Sequence, residues 1–341
     1  MFQRTDVKKN FTTLGYISIR NENPFSQGMN GFQISPRMQE LITYAGQLDC
    51  YERCNEVIKQ FLDVEVSHAQ AHRVTDTYGE ELGKSRVVER TMPPVKKQEI
   101  LYVEADGSML LTREESWKEV KLGRIFKSGD CMKTDEKAGS IHHSQYLAHL
   151  GDARTFTNQM DELIESYGCL DKRLVFISDG AVWIRNWIED SFPQGESILD
   201  YYHASQHLYA FTESFFTDKK AAKKWSHRQL SLLLKSKVDT VLNNIRQLAP
   251  ASKEAQNLME YYQSNKARMD YKHYRQIGCG IIGSGAIESA HRTVIQKRMK
   301  LSGQRWSKRG AQNMLNLRVT YMNDQWSKVI QLTKTNFKAA A

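Results

Sequence analysis

The stretch QEILYVEADG, Gln98 to Gly107, carries the reading that decides the fold. A continuous apolar run suits a strand buried on both faces, and it ends in Asp106-Gly107. RLVFISDG, Arg173 to Gly180, repeats the design and ends in Asp179-Gly180. Asp-Gly is a favoured turn pair, so one instance means little. A carboxylate at the end of a buried strand is costly unless paired or metal-bound. Two such ends on the two most apolar strands therefore point to a site.

Between and beyond these runs the pattern is α/β. SWKEVKLGRIF alternates as a half-exposed strand, and SIHHSQYLAHLGD reads as a fainter third one. Phe156, Met160, Leu163, Ile164 and Tyr167 recur at helical spacing, AVWIRNWIED is a helix, and ESILDYY is a further short strand. The expected order is strand, strand, strand, helix, strand, helix, strand. Residues 208–277 read as an almost wholly helical insertion, interrupted at Pro250.

The remaining divisions follow composition. Residues 1–36 have little periodicity and read as an irregular segment. Residues 37–83 give three short helices, with Ser67 placed to cap the third and Gln70 three residues on. This resembles a helix-turn-helix, and a small helical bundle gives the same pattern. Residues 84–98, KSRVVERTMPPVKKQ, read as a linker because tandem prolines stop both helix and sheet. The first part of the core is then 99–207. Residues 278–326 hold a last helix and a basic tail, and 327–341 are expected to be a flexible C-terminus.

The 341-residue chain is 40% hydrophobic and 26% charged, which fits a globular protein. No apolar run approaches the roughly 20 residues of a membrane span, and the N-terminus lacks the apolar core of a secretory signal. A cytoplasmic location and no membrane partner are expected. Five cysteines without framework spacing argue against structural disulfides, and Cys50 and Cys54 read as small buried residues.

The net charge is +9. From Ser289 to Asn323 there is no Asp or Glu, while Arg292, Lys297, Arg298, Lys300, Arg305, Lys308 and Arg309 all fall there. An acid-free stretch of this length does not neutralise itself locally, so these seven are the candidate phosphate-contacting residues.

A third carboxylate is wanted for metal-assisted phosphoryl transfer, because a two-metal site needs oxygen ligands converging from separate elements. Glu288 in GCGIIGSGAIES, residues 278–289, is the candidate, set just inside a helix N-terminus behind flexible glycines. The same stretch satisfies G-x-G-x-x-G through Gly278, Gly280 and Gly283. A dinucleotide site would also need a preceding strand and an acid about 20 residues on. NKARMDYKHYRQI is a poor buried strand, and the next acid after Glu288 is Asp324. Asp200, His203 and His207 form D-x-x-H-x-x-x-H, with both histidines on one helical face. Zinc spacing is met, yet no H-E-x-x-H arrangement accompanies it, so the three are read as supporting residues.

LYVEADGSML, LVFISDGAVWI, ILDYYHASQHL and GSGAIESAHRTVIQKRMKLSGQRWSKRGAQNMLNLR, in that order, resemble the DDE transposases of bacterial insertion sequences. The likeness is strongest to the ISKra type, related to Mutator-like elements, and runs from Ile34 to Trp326. It implies a ribonuclease-H-like mixed sheet with a helical insertion before the last carboxylate, preceded by a small helical domain. It implies Asp106, Asp179 and Glu288 as the catalytic triad, holding two Mg²⁺ or Mn²⁺ ions, and Asp200 with His203 as the supporting motif. The implied activity is strand cleavage and strand transfer on double-stranded DNA at element ends, by a homodimer or higher oligomer near the nucleoid. Relatives of that type often carry cysteine-rich segments upstream of the Ile34 block, and the 33 residues here hold no cysteine. A catalytically silent DNA-binding regulator and a stand-alone two-metal nuclease are the alternatives.

Overall fold

A computed structural model describes residues 8–12, 15–19, 29–84, 88–133, 139–249 and 252–337. The chain divides into two compact units: Met1–Arg86 with Ile295–Ala341, and Val87–Val294. Residues 85–87 of the expected linker and Pro250 lie outside the described residues.

The first unit begins with a two-stranded antiparallel ribbon, β1 (Lys8–Thr12) and β2 (Gly15–Ile19), where the sequence reads as irregular. Three helices follow, α1 (Pro36–Leu48), α2 (Tyr51–Leu62) and α3 (His68–Lys84). Local chemistry sets their starts. Ser35 Oγ accepts from Met38 N ahead of Pro36, whose missing N–H costs nothing in a first turn. Ser67 Oγ accepts from Gln70 N, as the spacing predicts. Ile42, Cys54, Ile58, Val74 and Tyr78 form the core, together with Leu317 and Val329 from the C-terminal end of the chain.

The second unit is built on a five-stranded mixed sheet. Its strands are β3 (Leu101–Thr112), β4 (Ser116–Lys127), β7 (Gln145–Leu150), β8 (Leu174–Ser178) and β9 (Glu196–Leu199), ordered β7-β4-β3-β8-β9. β4 runs antiparallel to both β3 and β7, whereas β8 runs parallel to β3 and β9 parallel to β8. The predicted strand and helix order is present, with one addition: β5 (Cys131–Lys133) and β6 (Gly139–Ile141) form a separate ribbon. SIHHSQYLAHLGD is thus divided between that ribbon and β7. β4 is buried continuously from Val120 to Lys127, because it lies between two strands, where the sequence reads as half-exposed.

Alternation along the strands fills both faces. Leu101, Val103, Leu174 and Phe176 pack with α4 (Ala153–Ser166) and α5 (Val182–Ser191). Tyr102, Val175, Ile177 and Ile198 face the other way, into the helical insertion. That insertion comprises α6 (Tyr201–Phe215), α7 (Lys219–Leu233), α8 (Val238–Leu248), α9 (Lys253–Asn265) and the short α10 (Tyr271–Tyr274). The glycine-rich loop then leads to α11 (Gly285–Ala290), and the chain continues as a π-helical turn, His291–Gln296.

The chain closes with α12 (Lys297–Met299), α13 (Lys308–Met322) and α14 (Trp326–Lys334), which belong to the first unit. α13 lies against α3, at Gly79, where an added side chain would meet the Asn313 backbone. Residues 326–334 are therefore helical, with Val329 fully buried, and the flexible end expected from residue 327 does not hold for them. The apolar Trp326, Val329 and Leu332 at helical spacing account for the docking.

Candidate functional site

Asp106 does not end its strand. β3 runs through Asp106-Gly107 to Thr112, because β4 continues to pair with it: Asp106 faces Leu122 and Gly107 faces Lys121. What ends near Asp106 is the pairing on the other side, where β8 matches β3 only as far as Glu104 and Ile177. The last β8–β9 pair is Ser178 with Leu199. Carried two residues and one residue further, these registers put Asp106, Asp179 and Asp200 in one row across three parallel strands. Alternation sets Asp106 and Asp179 on the face shared by Tyr102, Val175 and Ile177.

Each acid is held by its own contacts. Asp179 Oδ1 accepts from Ala181 N at 2.9 Å, and its carbonyl accepts from Tyr261 Oη at 3.1 Å. Asp200 is 2% exposed and caps α6, accepting from Tyr202 N at 2.7 Å and from Ser284 Oγ at 2.5 Å. Tyr201 N also donates to Ile282 O, so Asp200 and its neighbour fasten the glycine turn to the head of α6. A Cβ at Gly283 would overlap the Tyr202 ring, so the close approach there requires glycine. Glu288 is exposed, in the first turn of α11. Among the described residues no three His, Cys, Asp or Glu side chains converge as a metal-ligand group. The candidate donors are hard carboxylate oxygens, the kind Mg²⁺ and Mn²⁺ take.

His203 and His207 lie with Nε2 atoms 3.2 Å apart, and His207 stacks on Tyr261 with centroids at 4.2 Å. Burial, then the neighbouring His203, lowers the His207 pKa below its usual value. The pair thus packs beside Tyr261, which itself holds the Asp179 backbone.

Three further residues matter that sequence reasoning passes over. Glu104 is fully buried two positions before Asp106, and its Oε2 accepts from Ile287 N at 2.6 Å. Burial pushes its carboxyl up to about 8, and the negative charges of Asp200 and Glu288 push the same way. Glu104 thereby ties β3 to the residue next to Glu288, and its Oε1 has no hydrogen-bond partner among the described residues. The signal was present as a lone acid inside an apolar run. His291 is 5% exposed, with Nε2 3.1 Å from Asp106 Oδ2, an ion-pair approach without hydrogen-bond alignment. It stands three residues after Glu288, one helical turn on. Arg268 is 7% exposed, and among the described residues all three of its guanidinium nitrogens lack hydrogen-bond partners. A Cβ at Gly180, which has φ +98°, would lie 3.5 Å from Arg268 Nη2 and 3.6 Å from Asn265 Oδ1. Arg268 therefore backs the Asp179-Gly180 turn.

The seven basic candidates separate. Arg292, Lys297, Lys300 and Arg305 are exposed, and Lys308 is half-buried. Arg309 is exposed but paired with Asp76 and Glu80 of α3, at 3.1 and 3.0 Å. The acid-free stretch is thus partly neutralised by acids distant in sequence. Arg298 is a correction: it is fully buried, donates from Nε to Gly46 O at 2.8 Å, and lies over the rings of Tyr51 and Trp306. It is a core residue of the first unit and offers no surface to a phosphate.

No helix among the described residues is long and apolar enough to cross a membrane. Residues 33–335 match the model of a family described as "Uncharacterised protein family (UPF0236)". A similar protein is the "UPF0236 protein in vanSb 3'region" of Streptococcus gallolyticus, 23% identical over 305 residues. That alignment covers 85% of this chain and 64% of the relative's length. With the family match running from the first helices through the sheet and insertion to α14, the chain belongs to the UPF0236 family.

Proposed function

We propose that this protein is a DDE transposase with a ribonuclease-H-like catalytic unit, cleaving and transferring DNA strands at the ends of an insertion sequence. The observation that carries this reading is the row of Asp106, Asp179 and Asp200 at neighbouring parallel strands, with Glu288 held at the same end through Ile287 and Glu104. The sheet order β7-β4-β3-β8-β9, with a helical insertion before Glu288, supports it.

Asp106, Asp179 and Glu288 would hold Mg²⁺ or Mn²⁺. A hard divalent ion there supplies activation of the attacking water or 3′-hydroxyl and stabilisation of the leaving oxygen. The chain's own part is placement. His291 stands beside the Asp106 carboxylate, Tyr261 and Arg268 steady the Asp179-Gly180 turn, and Asp200 with Ser284 fixes the turn that leads to Glu288. Exposed Arg292 follows Glu288 by one turn and is placed for the DNA backbone. Double-stranded DNA is the partner, and a homodimer on paired ends is the working assembly.

The test is a labelled duplex carrying the DNA that flanks the gene, incubated with protein and Mg²⁺. Nicking at the element end followed by joining to a second duplex is expected. Asp106→Asn, Asp179→Asn and Glu288→Gln should each lose about a thousandfold or more of the cleavage rate while melting as the parent does. Binding without nicking would establish a regulator, and nicking without joining a nuclease. Normal cutting by Glu288→Gln would remove Glu288 from the triad.

A further inference from the structure

Cys131 and Cys279 are 148 residues apart in sequence, yet their sulfurs stand 3.1 Å from one another. Cys131 opens β5, at the base of the small ribbon, and Cys279 lies between Gly278 and Gly280 in the loop that leads to α11. Neither is fully buried. Both line a cleft of about 750 Å³, together with Arg275, Tyr202 and Gly283, so a small solute reaches them.

The spacing favours a covalent link over a shared metal. Two thiolates on one tetrahedral zinc, each at about 2.3 Å, would put their sulfurs about 3.8 Å apart. Among the described residues no third His, Cys, Asp or Glu joins the pair in a ligand group. A disulfide needs the sulfurs to close to about 2.05 Å, roughly one ångström of travel. Rotation about the two Cα–Cβ bonds and a small shift of the loop between Gly278 and Gly280 would supply it.

The two thiols are also unequal. The side-chain contact with Cys131 is the main reason the Cys279 pKa is lowered to about 7, and Tyr102 Oη acts in the same direction. The same contact, with burial, raises that of Cys131. Tyr102 Oη accepts from Cys279 N at 3.2 Å and so holds the loop in place. Cys279 is the nucleophile of the pair, and Cys131 the resolving thiol.

We propose that Cys131 and Cys279 form a reversible oxidative modification site, closed to a disulfide by a hydroperoxide, which staples the glycine loop before Glu288 to the β5–β6 ribbon. The Cys279 thiolate attacks one peroxide oxygen: an S–O bond forms, the O–O bond breaks, and the departing alkoxide or hydroxide takes a proton. The resulting sulfenic acid is attacked by the Cys131 sulfur as its proton passes to the leaving hydroxyl. An S–S bond forms, the S–O bond breaks, and water leaves. Two thiols give up two electrons and two protons, and one hydroperoxide is reduced to an alcohol and water. Closure restricts the segment carrying Gly283 and Ser284, and with it the path from Asp200 to Glu288.

The proposal needs neither DNA nor the transposase reading, so its test stands apart from the cleavage assay. The reduced full-length chain is titrated with hydrogen peroxide, blocked with N-ethylmaleimide and digested without reductant for mass spectrometry. The expected product is one cross-linked peptide joining Cys131 to Cys279, two hydrogens lighter than the sum of its parts and released by dithiothreitol. Cys50, Cys54 and Cys169 should remain available for blocking after unfolding. In Cys131→Ala, the cross-link is lost, and iodoacetamide labelling of Cys279 at pH 7 should slow severalfold while the melting curve persists. Oxidation of Cys279 to sulfinic acid without a cross-link would overturn the proposal. So would a cross-link of equal yield among the other three cysteines.

Discussion

The two units bury charge in different company. In the helical unit, Arg298 is fully enclosed: its Nη1 and Nη2 have no hydrogen-bond partner among the described residues, while its Nε has a carbonyl and its plane lies over two aromatic rings. Arg318 likewise donates to the side chain and carbonyl of Gln47. In the sheet unit, Arg268 is nearly as buried and has no hydrogen-bond partner among the described residues, where Glu104 likewise satisfies only one of its two oxygens. An unpaired buried group costs about 1–3 kcal/mol, and both units carry some, Arg298, Gln47 and Thr75 in the helical unit and Glu104, Arg268 and His291 in the sheet unit. What differs is the surroundings. Arg298 lies over aromatic rings, whereas Glu104 feels the charges of Asp200 and Glu288 and His291 stands beside Asp106, a setting in which polar groups serve something besides stability.

That contrast can be broken most sharply at Glu104. Its carboxyl is raised to about 8 from an ordinary 4.5, so the folded chain holds this proton more tightly than the unfolded chain. Its contribution to stability is full below about pH 4.5 and is lost as pH rises through about 8, amounting to about 5 kcal/mol as an upper bound. Denaturant melts in EDTA across that window should show the decline, and Glu104→Gln, which keeps an acceptor for Ile287 N, should flatten it. A parent slope equal to that of the glutamine variant would mean that Glu104 is not protonated in the fold.

Next in size are the two arginines. Arg298→Ala should cost about 3 kcal/mol, through lost packing and an orphaned Gly46 carbonyl. Arg268→Met should act in the other direction, relieving an unpartnered charge and stabilising the chain by about 2 kcal/mol. Urea midpoints of the two variants, moving apart from that of the parent, test the comparison directly. A destabilised Arg268→Met would show that the guanidinium has a partner in solution. The smallest effect is expected at Ser284→Ala, about 1.5 kcal/mol for a hydrogen bond to a buried carboxylate. That melt compares the Asp200 tie with the Arg298 contacts of the helical unit.

Much of this architecture was legible in the residues themselves. LVFIS and the helical spacing of Phe156, Met160 and Leu163 locate β8 and α4, because apolar period and burial are local properties. β3 was legible as a strand but not in its length. Asp-Gly favours a turn, and only the pairing with β4, which a pattern read strand by strand does not show, carries the strand through. Arg298 looked like its neighbours in a basic run, since nothing nearby in sequence discloses Tyr51 and Gly46. The same holds for Cys131 and Cys279, which no spacing connects. Glu104 was visible and passed over, because the acid two residues later had the more familiar position.

The long β3–β4 hairpin has a kinetic consequence. From Leu101 to Glu104, β3 is bonded on both sides, by β4 and β8, whereas from Met109 to Thr112 only β4 holds it. A two-stranded ribbon is marginal by itself, so amide hydrogens near the tip should exchange with solvent long before those at the base. Asp106 sits between the two regimes. One strand thus has two lifetimes, and the acid at their junction borrows rigidity from the slow half while standing beside the fast one.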